Sequence, residues 1–321
     1  MSELVAIVLP TFGLIGLGYL VGRLGLLGDR AGDGLSDYVF LIAVPSLIFR
    51  TLAEGHSPAA NPWGYWIAYF GGVAVVWIIA MAIAIKGLGR DRREAAVHGF
   101  AAAQSNTVLV GVPLILNVYG EAGATPLFLL LAVHLPIMMT AAALLIETAG
   151  PRGSSGAMAK RLARTIVTHP IILALVAGLV AQRQGYVPAG AFGSVIGQLA
   201  ATASPCALIA MGLALKRFGF LNDLKAVWSI SALKLVLHPL LVWALAFHVL
   251  DVPPVWAGVA VLFAAMPCGI NAYLIAARYQ VGETTASAAI AVSTAISVLS
   301  VSVWLLVLGV AQLRRRGAWP G

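Results

Sequence analysis

Long apolar runs separated by short polar linkers dominate the chain. Their spacing predicts ten helical spans, at about 4–22, 35–53, 63–86, 95–118, 123–147, 165–182, 189–215, 226–250, 255–278 and 283–310. Each run is about 20 residues long, the length at which an α-helix crosses a hydrocarbon core of about 30 Å. The apolar residues are continuous and not alternating, which argues against the ~10-residue strands of a membrane barrel. Two runs are interrupted. The fourth contains Ser105-Asn106-Thr107-Val108-Leu109-Val110-Gly111-Val112-Pro113, and the ninth contains Met266-Pro267-Cys268-Gly269-Ile270-Asn271-Ala272. Proline supplies no backbone donor and clashes with the carbonyl four residues back, so each helix is expected to break or kink there. Freed backbone groups persist in a bilayer core only where protein or a watery cavity surrounds them. Paired interruptions in the two halves of a membrane chain point to the binding site of a secondary transporter.

Prolines extend the correspondence between halves. Pro10 pairs with Pro170 and Pro45 with Pro205, each 160 residues apart, and Pro113 pairs with Pro267 at 154. The unit of repetition is five spans, and an odd number of crossings forces the second unit to enter from the opposite side. The expected fold is therefore an all-α integral membrane protein of ten transmembrane helices, arranged as two inverted five-helix repeats with helices four and nine broken. Its parts are a first repeat (1–147), a short basic linker (148–164), a second repeat (165–310) and a basic tail (311–321). In the first span, Gly13, Gly16, Gly18 and Gly22 loosely mimic a dinucleotide fingerprint, but no strand precedes them, so they predict close helix packing. Trp63, Tyr65 and Trp66 open the third span as an aromatic anchor at the membrane interface.

Composition agrees with this pattern. The 321 residues are 60% hydrophobic and 10% charged, with a mean hydropathy of +0.95, whereas soluble domains carry about 25% charge. The net charge of +8 resides in loop clusters without aromatic interleaving, which argues against nucleic acid as a partner and leaves the lipid bilayer. With the N-terminus outside, 14 basic residues fall on inner loops and 5 outside, three of those in the tail (Arg314, Arg315 and Arg316). The positive-inside rule thus predicts both termini outside the cell's inner (plasma) membrane. The acidic start Met1-Ser2-Glu3 lacks the basic segment of a cleaved leader, so the first span is expected to be retained. Cys206 and Cys268 stand alone, without metal-ligand or disulfide spacing. HExxH, GxSxG and P-loop motifs are missing, which speaks against an enzyme and against ATP-driven transport within this chain.

Residues 106–114 (NTVLVGVPL) resemble the fourth-helix motif of the auxin efflux carrier family, and Ala265 to Ile270 with Ala277-Arg278-Tyr279 is similar to its ninth-helix crossover. Phe40 to Phe49 (FLIAVPSLIF) resembles its second helix, while His169-Pro170 and Ala210-Met211-Gly212-Leu213 resemble its sixth and seventh. The resemblance implies a ten-helix carrier related in fold to the sodium–bile acid symporters, binding an organic anion where helices four and nine cross. It implies a scaffold of helices one, two, six and seven, often dimeric, and small carboxylates such as malonate or malate in bacterial members. Two departures stand out. The middle loop is short, and Cys268 follows Pro267 where plant members carry a larger polar side chain, which argues against auxin itself.

The candidate site follows from helix ends. A broken helix presents unsatisfied N–H groups and about half a positive charge at the start of its second half, which suits a carboxylate. Asn106, Thr107, Asn271 and Ser105, with Gly111 and Gly269, are the expected substrate-binding set, and Pro113 and Pro267 shape the crossover. Asn106 precedes its proline by seven residues and Asn271 follows its own by four, so an asymmetric site is expected. Lys234 and His238 share a face of the eighth span, and an intramembrane charge is a functional candidate. His134, expected to be a satisfied core residue, and Glu147 complete the candidates for anion attraction or coupling. His98, with Glu94, Arg92 and Arg93, is expected in a solvated charge cluster. No cofactor is expected beyond Na⁺ or H⁺ as coupling ion, and a sodium- or proton-coupled symporter is the alternative mechanism. A membrane sensor that binds a ligand without moving it is the alternative class.

Overall fold

The computed structural model describes residues 2–55, 62–149, 168–218 and 223–309. Most of the expected linker 148–164 and the whole of the tail 311–321 lie outside the described residues. The described helices are α1 (Ser2–Arg23), α2 (Asp29–Glu54), α3 (Trp63–Gly87), α4 (Arg92–Ala103), α5 (107–119), α6 (121–148), α7 (Pro170–Arg183), α8 (Gly190–Leu215), α9 (Leu224–Val249), α10 (Pro254–Ala265), α11 (Asn271–Tyr279) and α12 (Glu283–Val307). Helices α5 and α6 are continuous but for Gly120, whose φ of 56° and ψ of −143° are open to glycine and strained for other residues. Seven helices among the described residues, counting α5–α6 as one, are long and apolar enough to cross a membrane; α7 and α10 are shorter apolar helices. Large apolar side chains such as Leu9, Ile78 and Leu299 stay more than 60% exposed along these helices. The chain is an all-α membrane protein.

Three prolines leave the same local mark. Pro45, Pro113 and Pro239 each sit two residues beyond the end of a π-helical turn, at Val39–Ala43, Thr107–Gly111 and Leu233–Leu237. In each case the residue before the proline donates its N–H to the carbonyl five positions back: Val44 to Val39, Val112 to Thr107 and His238 to Leu233. The wider turn moves the ring off the carbonyl it would otherwise strike and leaves the helix running.

Helices α1, α2, α7 and α8 pack on one another, and α3, α4, α6, α9, α10 and α12 form a second group around the interrupted helices. Gly18 and Gly212 face each other across α1 and α8; a Cβ on either would strike the opposing backbone, so these helices touch main chain to main chain. Of the glycines expected to pack, Gly18 and Gly22 do so, while Gly13 and Gly16 face open space. The aromatic anchor is narrower than expected. Trp63 is 64% exposed, but Tyr65 is 1% exposed and donates to Pro126 O at 2.8 Å, the partner its hydroxyl needs once buried.

Candidate functional site

The two interruptions cross and bond to each other. Between α4 and α5 the chain runs extended through Gln104-Ser105-Asn106, and between α10 and α11 through Pro267-Cys268-Gly269. Gly269 N–H donates to Gln104 O at 2.9 Å, Asn106 N–H donates to Pro267 O at 2.8 Å, and Ser105 pairs with Cys268 as an antiparallel bridge. Cys268 N–H donates to Ser293 Oγ of α12 at 3.0 Å. The backbone groups that breaking two helices frees are thus largely satisfied by the opposing break, as a dry interior requires. Only glycine fits at 269, where a Cβ would lie 2.8 Å from Ser105 O.

The crossing brings the amino ends of α5 and α11 together with the carboxyl ends of α4 and α10. Asn106 caps α5 and Asn271 is the first residue of α11, so both side chains stand at positive helix ends. Beside them lies a cavity of about 60 Å³, lined by Ser105, Asn106, Thr107, Leu109, Gly269, Ile270, Asn271 and Leu274, with Phe40 and His169 opposite. The Asn106 amide is only lightly engaged: its Nδ2 donates to Met211 Sδ, a weak acceptor, at 3.0 Å. A larger cavity of about 540 Å³ adjoins, lined by Asp33, Ser36, Asp37, Arg217, Tyr273 and Ser287 among others. Phe40, Leu109, Ile270 and Leu274 line both and so form the partition between them. Arg217, which follows α8, donates to Asp33 at 2.6 Å and to Asp29 O, and this pairing raises its guanidinium above the ordinary arginine value.

Five of the expected binding residues (Ser105, Asn106, Thr107, Gly269 and Asn271) line the small cavity. Gly111 does not; it lies in the π turn after the crossing, packed towards Met266. Pro113 and Pro267 are not in equivalent places: Pro267 gives the crossing its carbonyl, whereas Pro113 follows the π turn of α5. Lys234, His238 and His134 gather in a separate buried pocket, with Lys234 Nζ 3.1 Å from His238 Nδ1 and donating to Ala264 O. Glu147 does not join them; it accepts from the Tyr279 hydroxyl at 2.8 Å. His134 departs from the satisfied core histidine expected of it, since neither ring nitrogen has a hydrogen-bond partner among the described residues. Of the cluster expected around His98, Arg92 is exposed and Arg93 and Glu94 are half-buried, but His98 itself is 4% exposed and 3.1 Å from Ser229 Oγ, while Arg90 bridges Glu94 and Asp223. Among the described residues, no group of three or more His, Cys, Asp or Glu side chains could hold a metal ion.

His169 was not among the expected site residues. It precedes Pro170 at the start of α7, its Nδ1 has no partner among the described residues, and it lines the small cavity. The signal was a polar residue held extended before a proline. Gln104 was missed for a different reason: its fully buried amide, without a partner at either polar atom among the described residues, lies one residue outside the motif.

Comparison with known proteins adds a lineage. The model of a family described as "Membrane transport protein" matches residues 4–168 and 155–305. A protein of Rhizobium meliloti (strain 1021) described as "Putative malonate transporter" is 32% identical over 321 residues, 100% of this chain and 98% of that protein. An "Uncharacterized transporter" of Methanothermobacter thermautotrophicus is 27% identical over 319 residues, 94% of this chain and 97% of the other. A stretch of 120 residues, 37% of this chain, is 24% identical to 14% of the mouse "Lysosomal cholesterol signaling protein".

Proposed function

Because the chain belongs to the membrane transport protein family, that of the auxin efflux carriers, we propose that it is a secondary carrier of small carboxylate anions, binding them where its two interrupted helices cross. It is a transporter and not an enzyme. The observation that carries the reading is the pairing of two helix amino ends, each bearing an asparagine, beside one cavity. A carboxylate there would take N–H donors and partial positive charge from both ends without a full cation at hand. Malonate is the first candidate, since the relative that aligns from end to end is described as transporting it.

The reading extends to topology and cycle. Counting α4 with α5 and α10 with α11 as single broken spans gives ten crossings, arranged as two inverted five-span repeats in the plasma membrane with both termini outside. The α1–α2–α7–α8 group would act as the scaffold, through which two copies could pair, and the second group would move against it by alternating access. The larger cavity, which the inner-side residues Asp33 and Arg217 line, would then be the cytoplasmic approach to the crossing.

A thermal-shift screen of mono- and dicarboxylates tests binding, because a ligand that prefers the folded state stabilises it by RT ln(1 + [L]/Kd), about 2.7 kcal/mol at a hundredfold excess over Kd. Malonate should raise the Tm and exchange across proteoliposomes. A protein that no carboxylate stabilises would refute the assignment. The stretch of likeness to a signaling protein favours one second reading, a membrane sensor; stabilisation by malonate without any exchange would select it.

A further inference from the structure

Four titratable side chains from three helices meet in a pocket beside the crossing: Tyr69 of α3, His134 of α6, and Lys234 and His238 of α9, all fully buried. The Tyr69 ring lies 5.4 Å from that of His238 and 5.6 Å from that of His134, and Phe263 of α10 closes the pocket at 5.1 Å from His134. The Tyr69 hydroxyl is 3.4 Å from Ser105 Oγ, so the pocket touches the crossing itself. Lys234 Nζ donates to Ala264 O, one residue short of the end of α10, and lies 3.1 Å from His238 Nδ1. No carboxylate pairs with Lys234 among the described residues. The other helices packed on this turn bring little charge. α10 has no titratable side chain and is followed by the Cys268 thiol; α4 brings His98, held by Ser229, and carries Arg92, Arg93 and Glu94 in its first turn; α12 carries only Glu283, at its start.

A lysine in such a place is expensive as structure alone, because an ammonium in a dry interior needs compensation and an apolar residue would fill the space at less cost. Among the described residues its two neighbours, one carbonyl and one imidazole nitrogen, leave the third ammonium donor unmatched. The carboxyl end of α10 offers partial negative charge only. What the pocket lacks is a full negative charge, and a carboxylate in the adjoining cavity supplies one, through protein where unit charges interact more strongly than in water.

Building on the carrier reading above, we propose that Lys234, supported by His238, is the coupling site and that its ligand is a proton. The lone pair of Nζ takes a proton from water when a carboxylate occupies the crossing and gives it up when the carboxylate leaves. One proton therefore crosses with each anion. His238 shares the proton through Nδ1, and Tyr69 links this pair to Ser105 in the crossing.

Malonate uptake into proteoliposomes at a clamped membrane potential of zero tests this. Wild-type protein should accumulate malonate about tenfold for each pH unit of inward acid gradient. Lys234→Met should bind malonate with an affinity that no longer varies with pH, and should equilibrate it without accumulation. Accumulation that survives Lys234→Met means that the proton rides on the substrate, and overturns the proposal. So does wild-type protein that exchanges malonate but ignores the gradient; the carrier reading then stands and the coupling site falls. Protein that neither binds nor exchanges malonate removes the carrier reading and this inference with it. Should Lys234→Met not fold, His238→Gln is the second variant: the pH midpoint of malonate affinity should move by about one unit, and an unmoved midpoint overturns the role of the pair.

Discussion

At the scale of single residues, the crossing separates side chains that shape the site from those that face its cavity. Asn106 and Asn271 face it from two helix ends. A hydrogen bond to a charged ligand contributes roughly 1.5–3 kcal/mol, so Asn106→Ala and Asn271→Ala should each weaken malonate binding by about tenfold to a hundredfold, with little change in the Tm of the ligand-free protein. Titration by thermal shift reads both quantities, and affinities within twofold of wild type would remove the amides from the site. Gly269→Ala should act the other way. Its Cβ would press on Ser105 O at 2.8 Å, and forcing that contact costs about 1–3 kcal/mol, so the Tm of ligand-free protein should fall; an unchanged Tm would show that the crossing yields. Most of this site was legible in the sequence because Ser105, Asn106, Thr107 and Asn271 are polar in apolar runs, where each needs a reason to be present. Phe40 and His169 were not, since their place opposite the crossing depends on how α2 and α7 pack. The same holds for Glu147, whose partner Tyr279 lies 132 residues away.

At the scale of elements, the sequence announced that prolines would disturb helices but not the form of the disturbance. Pro113 marks a π turn beyond the crossing, and Pro45 and Pro239 mark two more inside helices that stay continuous. The break in α4–α5 is made at Gln104 to Asn106 through bonds to a segment some 160 residues on, which no local pattern encodes. Each π turn also aims a particular residue: Phe40 into the partition between the cavities, Thr107 into the small cavity, Lys234 onto Ala264 O. Pro45→Ala restores an N–H that can bond the carbonyl four residues back, so the turn can tighten to α-helix. One residue of register turns the preceding helix by about 100°, which would swing Phe40 out of the partition. Malonate exchange should change at least about threefold while the Tm holds within a few degrees, because the change adds a hydrogen bond of about 1 kcal/mol while Val44 N–H exchanges the Val39 carbonyl for that of Phe40. Exchange at the wild-type rate would show that the wide turn at Val39–Ala43 does not set the partition.

At the scale of the whole molecule, the ion pairs fall within the two packed groups and, among the described residues, none joins them. Arg217 and Lys216 hold Asp29 and Asp33 within the α1–α2–α7–α8 group, while Arg90 holds Glu94 and Asp223 within the other. Ionic clamps inside each group, with packing and the side-chain bonds of Asn106 to Met211 and Asn117 to Ile7 O between them, suit two bodies that shift as units. The larger cavity lies at their junction, with Asp33 and Arg217 from one group and Tyr273 and Ser287 from the other. Under the positive-inside rule, the clusters of basic residues would put this end in the cytoplasm. Ser287 is half-buried in that wall and is a reporter for both claims. In a Cys206→Ser background, which leaves the buried Cys268 as the one native thiol, Ser287→Cys should react with a membrane-impermeant thiol reagent in inside-out vesicles and not in right-side-out ones. Malonate should slow the reaction several-fold if it draws the two groups through their cycle. Labelling from the outer side would reverse the orientation; equal rates with and without malonate would mean that the cavity wall does not move when the crossing is filled.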